Sequence, residues 1–442
     1  MNSGRRANAT LASSKNRLRL SNGNPQKAHP MTSKDRILAA LNGKPADHVP
    51  LLTWCFGFPA PEDLRWETDG TPVTYWYSKR LEHIHTLPQP WKLEDEFKRA
   101  EAWLSLGIDD VLEVSVPWGH DPAVTWKDSV IAPGGAGGHQ SHPVMVRRYR
   151  TPSGPLRHAV KKTENEGAGW PVQPDFVPII EDYNVPRGVE HAVSSPANVP
   201  AIKHLFTPPD EEQRRWFADR TAKMKAFADE KGLCIQAWSA FGMDAAVWFA
   251  GTQGAVMMAL DSPDAFGQLI DIIAQTDYAR TELAAATDGV DIVVQRGWYS
   301  STDFWSPGLF DTYVYPHVAE LAALAHAHGK KFGYTITTGV ANVGSRLADA
   351  GVDLLYFVDP VLDGIALEKA REMSEGRTTM VGGTNALSLA SGDAARIRDE
   401  VKRAIDVLGP TNRFILQPVD AIFPDTPLEG FMQMVEAWKE YR

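Results

Sequence analysis

Eight short apolar runs, separated by longer and more polar stretches, set the limits on what this sequence can fold into. They read PLLTWCF (50–56), DDVLEVS (109–115), LCIQAWS (233–239), VDIVVQRG (290–297), KFGYTIT (331–337), VDLLYFV (352–358), TTMVGG (378–383) and RFILQPV (413–419). Most are apolar throughout rather than alternating, as strands are when helices bury both their faces. The helical stretches between them have readable ends. Ser306-Pro307 opens one over 307–328 that Gly329 closes, and another over 392–408 stops at Gly409-Pro410. Eight strand–helix units predict an α/β fold, a (β/α)8 TIM barrel. A doubly wound open sheet is the alternative, weakened because no GxGxxG follows the first run.

The spacing breaks between the second and third runs, which predicts an insertion over about residues 116–230. Within it, HPVMVRRYRTPSGPLRHAVKKT (142–163) reads as a β-hairpin turning at Pro152-Ser153-Gly154. On a barrel such an insertion forms a lid or a partner surface. The first thirty residues differ in kind: they hold six Lys or Arg and no acid, leaving −16 on the rest of a chain whose net charge is −10. Ser- and Asn-rich and without an apolar core, residues 1–30 read as a disordered basic tail with no targeting role, a transit peptide being the alternative. Deleting them is expected to leave thermal stability and ligand binding unchanged. A loss above about 1 kcal/mol in a denaturation experiment would show that the tail docks. Residues 31–442 form the predicted barrel domain, opening on a helix that Ser33 would cap and Gly43 would stop.

Composition excludes several classes. Net charge of −10 argues against a nucleic-acid partner. No apolar run approaches the roughly 20 residues of a membrane span. Two cysteines, Cys55 and Cys234, stand far apart with no CxxC, against a disulfide framework or a thiolate-rich zinc site and in favour of the cytoplasm.

Side chains at the C-terminal ends of barrel strands face the active site. Those positions hold Trp54, Glu113, Gln236, Trp238, Arg296, Tyr334, Thr335, Thr337, Asp359, Asn385 and Asp420. RGWYSSTDFWSP (296–307) adds Trp298, Tyr299 and Asp303 in one loop, where Arg296 and Asp303 either face a ligand or pair with each other. His120, in PWGHDP (117–122), follows the second strand. With Glu113, Asp303 and Asp420 it could form a mixed oxygen/nitrogen metal site, zinc being the natural ion, or it could act alone as acid or base.

MTSKDRILAALNGKPADHVPLL at the start of the domain, SPGLFDTYVYPHVAELAALAHAHGKKFGYTITTG, and the final GGTNALSLASGDAARIRDEVKRAIDVLGPTNRFILQPVDAIFPDTPLEGFMQMVEAWKEY resemble the uroporphyrinogen decarboxylase superfamily. The resemblance implies a (β/α)8 barrel and one of two chemistries. True decarboxylases carry an arginine-rich segment after the first strand; here TWCFGFPAPEDLRW offers Arg65 among Glu62, Asp63 and Glu67. Asp110 is a weak match to their pyrrole-binding aspartate. The methyltransferase branch holds zinc with His-x-Cys and a later Cys, and Thr335, Thr337 and Asp420 stand in those places. Threonine hydroxyls are poor zinc ligands, so these residues position substrate instead.

The leading expectation is therefore demethylation of a small methylated or methoxylated compound, with a corrinoid on a partner protein as acceptor and no cofactor held tightly by this chain. His120, Asp420 or Asp303 would supply the proton or metal contact, with Thr335 and Thr337 orienting the substrate. Trp238, Trp298 and Tyr299 would form the wall. A decarboxylase acting on a tetrapyrrole is the alternative, and a non-catalytic ligand-binding barrel the third class. Association into a homodimer is left open.

Overall fold

The computed structural model describes residues 30–54, 66–68, 71–73, 93–134, 141–161, 177–179, 187–336, 338–374, 376–419, 421–422 and 426–442. Thirteen strands occur among them, in three sheets. Strands β1 (Trp66–Thr68) and β2 (Thr71–Val73) make a short antiparallel pair that the sequence did not suggest. Strand β3 (Val111–Ser115) belongs to the parallel sheet. It is followed by β4 (Thr125–Ile131), β5 (Val144–Thr151), β6 (Gly154–Lys161) and β7 (Gly188–Glu190), a separate antiparallel sheet. The remaining parallel strands are β8 (Cys234–Ala240), β9 (Ile292–Gln295), β10 (Lys331–Thr335), β11 (Leu354–Val358), β12 (Thr379–Asn385) and β13 (Phe414–Val419).

The parallel sheet runs β13-β12-β11-β10-β9-β8-β3, so seven of the eight apolar runs are strands in chain order. The eighth, at Pro50–Leu52, lies between the two ends of that sheet. Leu52 N donates to Leu416 O and Leu416 N to Pro50 O, while Asp109 N donates to Leu51 O. The sheet is thus curled, as in the barrel proteins of this architecture.

Period two divides the strands between two cores. Val111, Cys234, Ile292, Val294, Leu354, Tyr356, Val381 and Ile415 point inward. Leu112, Val114, Ile235, Val293, Leu355 and Leu416 pack outward under the helices. The helix Ser33–Leu41 closes the bottom with Ile37, Ala40 and Leu41. Its cap is Thr32 rather than Ser33: Thr32 and Asp35 exchange bonds in a capping box, and Ser33 Oγ turns inward to Asp109 Oδ1 at 2.8 Å. The predicted helix 307–328 is two helices, Pro307–Tyr313 and Tyr315–Ala327. Pro316 lacks the N–H that would continue the first into the second.

The insertion contains the predicted hairpin. β5 and β6 pair from Val144↔Lys161 to Thr151↔Gly154, turning at Pro152 and Ser153. β4 and β7 widen it to four strands, which the sequence did not show. No helix among the described residues is long and apolar enough to cross a membrane. Residues 1–29 lie outside the described residues, as do Cys55, Glu62, Asp63, Arg65, Thr337 and Asp420.

Candidate active site

Register sets the site. Glu113 stands opposite Gln236 and Ser115 opposite Trp238 on the paired strands β3 and β8, so three side chains that alternate inward meet inside the curled sheet. Gln236 Nε2 and Trp238 Nε1 donate to the same carboxyl oxygen, Glu113 Oε1, at 3.3 and 3.2 Å. Tyr356 Oη donates to Gln236 Oε1 at 2.6 Å, which fixes the amide with its NH2 toward Glu113. Burial pushes the Glu113 carboxyl up to about 8, against the pull of the Arg99 guanidinium. Glu113 is therefore a neutral acid at pH 7. Two donors thus hold Oε1.

Beneath it lies a buried ion cluster. Arg99 Nη1 reaches both oxygens of Asp110 at 2.7 Å, and Nη2 reaches Glu96 Oε1 at 2.7 Å and Val111 O at 2.9 Å. All three side chains are buried. Burial pushes the Asp110 carboxyl up to about 6, and the Arg99 guanidinium keeps it ionised at neutral pH. Glu96 Oε1 also accepts from Glu113 N at 3.1 Å, so this cluster fixes the strand that carries the acid.

Above Glu113 the mouth of the curled sheet is aromatic. Trp54 lies 5.5 Å from Trp298, 5.6 Å from Phe357 and 6.4 Å from Trp238, centroid to centroid. Arg296 lies 4.3 Å over Trp298 and 5.1 Å over Trp248, with its Nε 3.4 Å from Asp244 Oδ2. About 380 Å³ of space separates the atoms around Glu113, Trp54 and Phe357, but only about 20 Å³ of it admits the centre of a water molecule. Trp298, at this mouth, is only half-buried.

The other expected site residues fall elsewhere. Arg296 is partnered by Asp244, not by Asp303, whose side chain is exposed. Tyr299 leaves the wall: its N donates to Asp244 Oδ1, and its ring meets Phe304 in the outer core. Tyr334 also faces outward, its hydroxyl 2.5 Å from Ser300 Oγ, because it is one residue out of phase with the interior positions. Thr335 Oγ1 accepts from Gly297 N at 3.1 Å and so holds the loop before Trp298. Asn385 caps the helix Ala386–Ser391 and donates to Asp359 Oδ2 at 2.8 Å, while Asp359 Oδ1 accepts from Val361 N and Leu362 N. Both are turn and cap residues. His120 packs its ring on Trp126 in the insertion, 5.6 Å between centroids. Among the described residues, no three His, Cys, Asp or Glu side chains converge around a common point that could hold a metal ion.

Sequence reading missed Glu96, Arg99, Asp244, Tyr356 and Phe357. Two signals were present. Glu96 falls in phase with Leu93, Ala100 and Trp103 on the buried stripe of its helix, so its carboxylate had to be inside. Tyr356 is two residues past Leu354 on the inward face of β11.

Comparison with known proteins adds the following. The family model described as uroporphyrinogen decarboxylase (URO-D) matches residues 192–441. A solved methyltransferase from Methanosarcina mazei superposes with a TM-score of 0.53 at 18% identity, covering 93% of this chain and 99% of that one. That likeness concerns the fold. No curated protein matches the sequence. Glu113, Arg99 and Trp54 precede the matched segment, and Gln236, Trp238, Trp298, Tyr356 and Phe357 lie within it.

Proposed function

Because this chain belongs to the uroporphyrinogen decarboxylase family, with residues 192–441 matching the family model, we propose that it is an enzyme that demethylates a small methoxylated compound. Its fold on this reading is a (β/α)8 barrel, with Pro50–Trp54 as the first strand. The observation that carries the proposal is Glu113, a buried carboxyl that keeps its proton at neutral pH under an aromatic mouth. Losing a methyl group leaves an electron pair on the substrate oxygen. The O–CH3 bond breaks, the methyl passes to the acceptor, and the Glu113 proton moves to the oxygen as charge develops there. Solvent then reprotonates the carboxylate. Gln236 and Trp238 hold Oε1 throughout and stabilise the ionised form that results.

Trp54, Trp238, Trp298 and Phe357 would sandwich the flat substrate and keep water from the reacting oxygen. The flat faces at the mouth also suit a planar macrocycle approaching from outside. A corrinoid on a partner protein would supply the nucleophile that takes the methyl.

Charge speaks against a tetrapyrrole substrate. A polycarboxylate needs several guanidinium groups turned toward it. Arg99 is engaged by Glu96 and Asp110, and Arg296 by Asp244.

A methoxylated phenol should quench tryptophan emission saturably, and Trp298→Ala should weaken its binding by about 1–3 kcal/mol, the usual scale for a buried aromatic contact. Unchanged affinity in that variant would place the ligand outside the barrel mouth. A ligand that binds tightly but is never converted would instead favour a non-catalytic barrel.

A further inference from the structure

In the insertion, two histidine rings lie close together, with three of their four nitrogens buried and unpartnered. His158, on β6, is 1% exposed, and neither ring nitrogen has a hydrogen-bond partner. His191 follows β7, and its buried Nδ1 is also unpartnered. The two ring centroids lie 6.1 Å apart. On its other edge His191 packs against Gly251, where an added Cβ would stand 2.4 Å from Nε2. The Trp248 backbone is within hydrogen-bonding reach of the same ring. Nδ1 is the buried nitrogen left without a partner.

We propose that His158 and His191 bind a transition-metal cation of the zinc class, with exogenous ligands completing its coordination. Metal–nitrogen bonds of about 2.0–2.1 Å put two ring centroids on the order of 5–6.5 Å apart, depending on the angle at the metal, and the observed spacing falls in that range. Imidazole pairs suit zinc, copper and nickel, whereas magnesium and calcium prefer oxygen. Arg147 stands opposite His158 in the strand register, but Asp128 neutralises it with bonds of 2.7 and 2.6 Å. An open groove of about 470 Å³ lies beside His191, lined by Val189, Glu190, Gly254 and Met257. A groove of that size leaves room for the water or anion ligands that two histidines alone do not provide.

The test uses the full chain, stripped with chelator and titrated with Zn2+, with Mg2+ as the control ion. One Zn2+ per chain should bind saturably and raise the melting temperature, and Mg2+ should do neither. His158→Phe keeps the ring shape without nitrogens, and His191→Gln changes the second ligand at an independent position. Each should weaken Zn2+ by at least about tenfold and abolish the thermal shift. Zinc-edge anomalous diffraction should place the ion between the two rings. No saturable zinc, or equal binding by wild type and either folded variant, would overturn the proposal. So would a water found bridging the two rings in zinc-soaked crystals. None of these readouts depends on demethylation, so the site stands or falls apart from the activity proposed above.

Discussion

Glu113→Gln is expected to lower the rate of demethylation by about 10²–10⁴-fold, the range for loss of a general acid, while the protein stays folded. Glutamine keeps the shape and still accepts from Gln236 and Trp238 through its carbonyl oxygen, so only the proton is lost. The pH profile gives the sign. Wild-type activity should be steady below neutrality and fall as pH rises through about 8, where Glu113 ionises. Stability should show the same group. An ordinary glutamate titrates near 4.5, so between there and about 8 the native state holds a proton that the unfolded chain has released. Native stability therefore declines as pH rises across that window. In Glu113→Gln this group's share of the slope should be lost, leaving the variant as stable as wild type or more so toward pH 8. A variant that unfolds instead would make Glu113 a structural residue.

Arg99→Met should be the most damaging substitution to the fold, at about 3–5 kcal/mol near neutral pH in denaturant titration. It strands Asp110 and Glu96 as buried carboxylates without their cation. The deficit should shrink on acidification, because protonated carboxyls need no counterion. A loss that is the same at pH 5 and pH 8 would mean that packing of the arginine stem, not its charge, holds this region. Since Glu96 also bonds the backbone of Glu113, catalysis should suffer at temperatures where the variant is still folded.

Most of the architecture was legible because strands buried on both faces carry their own signature. Seven of the eight apolar runs are parallel strands, and the eighth bridges the ends of their sheet. The site was read less well, for a physical reason. Strand ends were treated as facing the mouth whatever their phase, and Tyr334 shows the error, since one step along β10 turns a side chain from the interior to the helices. Gln236 and Trp238 are in phase and face the interior. The residue read as a metal candidate, Glu113, is inside as expected, but its neighbours are an amide and an indole rather than His120 and Asp303. Those neighbours come from strand pairing, and no local pattern announces which residue on β8 lies opposite Glu113. Asp244 was hidden for a similar reason. Its partner Arg296 lies 52 positions away, whereas Asp303, in the same loop as Arg296, is exposed.

The most direct test of the account follows the methyl group. A methoxylated phenol carrying ¹³C in its methyl group is incubated with the full chain and a reduced corrinoid, with uroporphyrinogen in a parallel reaction. The account predicts that the label leaves the arene and the free phenol appears one for one, that Glu113→Gln stops this, and that uroporphyrinogen releases no carbon dioxide. Carbon dioxide from uroporphyrinogen with the labelled arene left intact would contradict it.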